Sequence, residues 1–144
     1  MTSTHERARR ARKTLARRLE QADLGFESGV LELRLAQDPE NVALLSALAE
    51  ACTRLRRYAE GLALDRRLVE TAPTEPVFRY NLACSLVLTG DLDAACDSLQ
   101  EAVRLGYRDL EHMEQDPDLR RLRKDSRYPD LRERLLRIAR DAGD

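Results

Sequence analysis

Two prolines 34 residues apart, Pro39 and Pro73, set the period of this chain. Laying residues 42–75 over 76–109 without a gap superposes Leu48 on Leu82, Ala49 on Ala83, Tyr58 on Leu92, Gly61 on Ala95 and Leu68 on Ala102. The turn signal Arg56-Arg57 falls on Gly90-Asp91. A repeat of this length is one supersecondary unit that cannot bury its apolar face alone, so its copies must stack. Within each copy apolar residues recur at helical spacing, and the central turn divides the copy into two helices.

The first helix of the first copy is predicted over about 39–55, with Asp38 as its cap and Pro39 in its first turn, where a missing N–H costs nothing. Its apolar stripe is Leu44/Leu45, Leu48, Ala49, Cys52 and Leu55. The second helix is predicted over about 58–71, with Leu62, Leu64 or Asp65, Leu68 and Val69 inward. The second copy gives helices over about 75–88, capped by Thr74, and about 92–105, stopped by Gly106. Ala49, Gly61, Ala83, Ala95 and Ala102 are small enough for neighbouring helices to approach closely.

These residues resemble the tetratricopeptide repeat (TPR) family. Residues 76–105 (PVFRYNLACSLVLTGDLDAACDSLQEAVRL) carry Asn81-Leu82-Ala83, Gly90-Asp91-Leu92, Ala95 and Ala102-Val103 in the family's positions, and Pro73 closes the copy over 42–75. The second copy has Tyr107 where that proline would stand, and Leu45 and Arg79 replace the family's early Trp. The resemblance implies an all-α fold, a TPR-like stack of antiparallel helix pairs forming a short right-handed superhelix. Upstream, a basic helix over about 5–22 (segment 1–24) and a helix over 26–37 (segment 25–41) are expected to form a degenerate earlier unit. Residues 110–144 resemble the helical tails that close bacterial TPR arrays, and they must cap the stack, because an open end leaves an apolar face in water.

Composition narrows the function. The chain has 144 residues, 42% apolar and 35% charged, which suits one soluble helical domain. Aromatics are only 4%, with no Trp, which argues against a β-sandwich. No apolar run approaches the ~20 residues of a membrane-spanning helix, and the N-terminus has no hydrophobic signal core. Cys52, Cys84 and Cys96 are odd in number and lack metal-ligand spacing, so a reduced cytoplasmic location is expected. Cys52 and Cys96 read as core residues and Cys84 as partly exposed.

No catalytic constellation emerges. His5 and His112 have no Cys or His nearby, a zinc site needs three or four convergent ligands, and no metal or other cofactor is expected. Asp91/Asp93 and Asp116/Asp118 read as helix starts, where carboxylates meet free N–H groups. Six glycines and no phosphate loop leave no nucleotide fingerprint, and an enzyme is not expected.

What remains is surface recognition. In TPR stacks the first helix of each unit lines a concave groove, and by that resemblance the groove carries Ser46, Glu50, Thr53 and Arg54 from the first copy and Val77, Tyr80, Asn81, Cys84 and Val87 from the second. TPR domains that clamp a C-terminal carboxylate use Lys, Arg and two Asn there; this chain matches only Asn81, with Ser46 and Glu50 in the other places, so a mixed or apolar peptide of a partner protein is the expected ligand. The net charge is −1 but polarised: residues 1–20 sum to +5 and residues 21–106 to −6. The basic helix (Arg9, Arg10, Arg12, Lys13 and Arg17 foremost) reads as a solvated face, a protein contact or a nucleic-acid arm. Its stripe of Ala8, Ala11, Leu15 and Leu19 is too weak to hold a membrane. The expected function is a non-enzymatic adaptor or chaperone-like module; the competing readings are a nucleic-acid accessory protein and a self-assembling, weakly oligomeric TPR stack.

Overall fold

The computed structural model describes residues 4–143; residues 1–3 and 144, the ends of the first and last predicted segments, lie outside the described residues. The described residues are all-helical: α1 (Thr4–Gln37), α2 (Val42–Arg54), α3 (Tyr58–Thr71), α4 (Pro76–Thr89), α5 (Leu92–Leu105), α6 (Leu110–Gln115), a 3-10 turn (Pro117–Leu119), α7 (Arg120–Arg123) and α8 (Tyr128–Asp141). Each helix packs on its neighbour in order from α1 to α5, the 3-10 turn and α7 lie against α4, and α8 lies against α5. No described helix is long and apolar enough to cross a membrane.

The 34-residue period is carried into the backbone. α2 and α4 begin at residues 42 and 76, and α3 and α5 run over 58–71 and 92–105. The turns match as well. Arg56 and Gly90 both adopt a left-handed backbone, with φ of 60° and 95°. The next N–H then reaches back to close the helix, Arg57 to the carbonyl of Cys52 at 2.8 Å and Asp91 to that of Leu86 at 2.9 Å. Gly106, with φ 115°, ends α5 in the same way.

Three expectations about helix ends are corrected. α1 is one continuous helix, where the sequence predicts a turn between residues 22 and 26. A mid-helix glycine costs only about 1 kcal/mol, and Leu24, Ser28 and Leu35 of α1 are buried along one face, with Leu31 packed beside them, so the helix carries through Gly25 and Gly29. α2 begins at Val42 rather than at Pro39. Asn41 caps it, accepting from the Leu44 N–H at 3.1 Å, and donates in turn to Asp38 at 2.9 Å. Glu75, not Thr74, occupies the cap position of α4, with no side-chain bond, and Pro76 opens the helix.

The core has two parts. Leu35, Leu45, Leu48, Cys52, Leu64 and Leu68 fill the space between α1, α2 and α3. A larger cluster, including Leu99, Val103, Leu119, Leu122, Leu131 and Leu135, joins α4 and α5 to the C-terminal segment. Phe78 packs against both. The C-terminal segment keeps the period at its first helix, since α6 starts 34 residues after α4, but Pro117 then breaks it. A residue before proline is pushed to an extended backbone, and Asp116 has φ −62° and ψ 118°. The broken helix folds back over α4 instead of continuing past it.

Candidate functional site

α2 and α4 are successive first helices of the repeat, and between them runs a cleft of about 250 Å³. Its walls are Ser46, Ala49, Glu50 and Thr53 of α2 and Tyr80, Asn81, Cys84 and Ser85 of α4; Asp65 of α3 lies at its base, and His112, Asp116 and Asp118 of the C-terminal segment close one end. Of the nine groove residues expected from the sequence, Ser46, Glu50, Thr53, Tyr80, Asn81 and Cys84 line this cleft together.

The other three do not. Val87 is 1% exposed and belongs to the core, because the last turn of α4 is covered by α5 and the C-terminal segment. Arg54 turns away from the cleft to α1, where it pairs with Glu20 at 3.0 Å. Val77 is half-exposed and absent from the cleft wall. The cysteine expectation is also reversed: Cys84 is buried and Cys96 is partly exposed. Asp116 covers the Cys84 thiol, which donates to it across 3.7 Å.

Asp116 organises the closed end. One carboxylate oxygen accepts from the Tyr80 hydroxyl at 2.6 Å and lies 3.3 Å from His112 Nε2; the other accepts from the Asp118 N–H at 3.0 Å. The Tyr80 ring stacks on Tyr107 with centroids 4.4 Å apart and planes 4° from parallel. Arg123 fixes the bend from outside, donating to the carbonyls of Met113 at 2.9 Å and Asp116 at 2.7 Å. Burial and the neighbouring acids raise the Tyr80 hydroxyl and the Cys84 thiol well above their usual ranges, so both stay protonated. A buried neutral thiol is a poor nucleophile. Tyr80 is therefore part of the cleft wall, its hydroxyl already engaged.

At the base, Asp65 is only 4% exposed. Ser85 Oγ donates to it at 2.5 Å. Burial pushes its carboxyl up to about 6, with the Ser85 hydroxyl pulling the other way. Asp118 is raised too, by burial first and then by Asp116. The cleft thus gathers four acids, Glu50, Asp65, Asp116 and Asp118, and no described Lys or Arg lines it. Asn81 stands among them with an amide that makes no hydrogen bond to the described residues. Sequence reading missed Ala49, Asp65, Ser85 and the three residues of the C-terminal segment as lining residues. The one local signal was an acid, Asp65, at a position where the apolar stripe of α3 required a core residue.

The basic residues of α1 lie elsewhere. Residues 5–23 are exposed along their whole length, Arg9, Arg10, Arg12, Lys13 and Arg17 among them. α1 is tied to the body by its second half. Arg57, at the turn between α2 and α3, donates to Glu32 at 2.8 Å, to Ser28 at 3.3 Å and to Glu60.

No family model matches the chain, and no solved structure matches it. Over 78 residues it is 32% identical to a chloroplastic protein of Arabidopsis thaliana, an alignment covering 52% of this chain and 23% of the plant protein. The chain therefore spans less than a quarter of the length of this curated relative.

Proposed function

We propose that the protein is a non-enzymatic adaptor, a short TPR-type stack that holds a segment of another protein in the cleft between α2 and α4, and that this segment presents a Lys or Arg side chain. The lining carries the reading: four carboxylates converge on a cleft of about 250 Å³ whose described walls hold no Lys or Arg. That volume is below the range usual for small-molecule sites, roughly 300–1,000 Å³, and suits one or two side chains of a docked peptide. Four carboxylates gathered with His112 as the one basic side chain beside them favour a cation and penalise an acidic ligand, which is how specificity against the wrong partner arises. A basic ligand replaces the mixed or apolar peptide expected from the sequence, because Asp65, Asp116 and Asp118 join Glu50 only in three dimensions. Asn81, with donor and acceptor side by side, is placed to hold the peptide backbone next to that side chain.

Selection of peptides from a displayed random library against the intact chain tests this. Enrichment of Lys or Arg is expected, together with loss of the selected peptides by a Glu50→Lys variant whose helical circular dichroism is unchanged. Enrichment of acidic sequences, or equal binding by the variant, overturns the reading.

A further inference from the structure

α1 has two opposed faces. At 3.6 residues per turn, the packed residues Leu24, Ser28, Leu31 and Leu35 lie on one side, and the large exposed apolar residues Leu15, Leu19, Phe26, Val30 and Leu33 fall within about 60° of arc on the other. Phe26 is 78% exposed and Leu33 72%. The stripe repeats at seven residues, Leu19, Phe26 and Leu33, with Leu15, Ala22, Gly29 and Ala36 in the alternate positions, which is the spacing of a helix that pairs with another helix. Its first part, residues 5–19, extends about 22 Å at 1.5 Å per residue and is exposed on every side. Isolated helices of about this length are marginal in water, so a partner on this face would stabilise it.

The charge on α1 identifies the partner. Residues 5–18 carry Arg7, Arg9, Arg10, Arg12, Lys13, Arg17 and Arg18 against Glu6 alone; residues 20–33 carry Glu20, Asp23, Glu27 and Glu32 and no Lys or Arg. A helix basic in one half and acidic in the other is complementary to itself only when reversed. We propose that the outer stripe of α1 is a homodimer interface, in which α1 of a second copy of this chain packs antiparallel across Leu15, Leu19, Phe26, Val30 and Leu33. The arrangement is a closed two-fold, so it uses the same patch on both copies and ends at two. The register that sets the basic residues 5–18 against the partner's acidic half puts Phe26 over the partner's Ala11, Leu15 over the partner's Ala22 and Gly29 over the partner's Ala8. Phe26 and Leu15 then meet small residues, and Arg10 and Arg17 come level with the partner's Glu27 and the partner's Glu20. Gly29 and the partner's Ala8 are both small, which lets the two backbones approach; within one chain a Cβ at Gly29 would meet nothing within 4 Å. A parallel pair would instead set the basic halves against each other.

Light scattering over a concentration series of the nuclease-treated chain tests the proposal. The expected mass is twice the 16.4 kDa of one chain, reverting to one chain in a Phe26→Glu/Leu33→Glu variant that keeps its circular dichroism. A mass of one chain throughout, a mass that grows without limit, or a variant that stays dimeric overturns it. Orientation is read separately with spin labels in a Cys96→Ser background. Labels on Ala16→Cys should lie close together, while labels on Arg34→Cys should lie about 45 Å apart along the helix axis, from 1.5 Å per residue. Short distances at both positions would mean a parallel pair and would overturn the antiparallel interface.

Discussion

The Tyr80 hydroxyl donates to the carboxylate of Asp116 across 2.6 Å, joining the second repeat to a segment 36 residues downstream. The bond decides how the cleft ends. It holds the Asp116-Pro117 bend against α4, and with it the two acids that turn an open groove into a closed acidic cleft. Tyr80→Phe keeps the stack on Tyr107 but takes one donor from a buried carboxylate, a loss of about 1–3 kcal/mol. Urea unfolding should show that drop, and amide exchange over residues 116–119 should quicken. Unchanged stability would mean that the bond contributes nothing to closing the cleft.

Asp65 makes stability depend on pH. Its carboxyl titrates at about 6 in the folded chain, above the ordinary 3.8, because burial disfavours the charged form. The fold therefore has the full benefit of protonated Asp65 below about pH 4 and loses it as the pH rises through about 6. Asp65→Asn keeps an acceptor for Ser85 and removes the buried charge. It should stabilise the chain at neutral pH by about 1–3 kcal/mol, have no effect near pH 4, and weaken capture of a basic peptide. A neutral-pH stability equal to wild type would contradict this.

Arg56 holds a left-handed backbone that Gly90 holds one repeat later. A side chain there costs roughly 1–2 kcal/mol, part of which glycine returns as entropy of the unfolded chain. Arg56→Gly should raise the urea midpoint by the equivalent of about 0.5–1 kcal/mol without changing the slope. A lower midpoint would show that the arginine side chain contributes more than its backbone costs.

These residues also show what could be read in advance. α3 and α5 were legible to the residue, because the repeat and its turn signals are local in sequence. Six of the nine residues that the family resemblance puts in a groove line the cleft between α2 and α4, because the resemblance marks the first helix of each copy as the lining one. The continuity of α1 was hidden, since the degenerate unit expected from the resemblance puts a turn between residues 22 and 26, while the Leu24–Ser28–Leu31–Leu35 face that overrides it depends on contact with the rest of the fold. The acidity of the cleft was hidden for the same reason. Asp116 and Asp118 have the local pattern of a helix start, which Asp116 does form, accepting from the Asp118 N–H. Nothing within a few residues shows that this start folds back over Tyr80 and Cys84.

The most direct test of the central claim is amide chemical-shift mapping of the intact chain during titration with a short Lys- or Arg-containing peptide taken from the selection. The amides of Ser46, Glu50, Asn81, Ser85 and Asp118 are expected to move together and saturate, with those of residues 5–18 unchanged. Shifts confined to α1, or scattered without saturation, would contradict a binding cleft between α2 and α4.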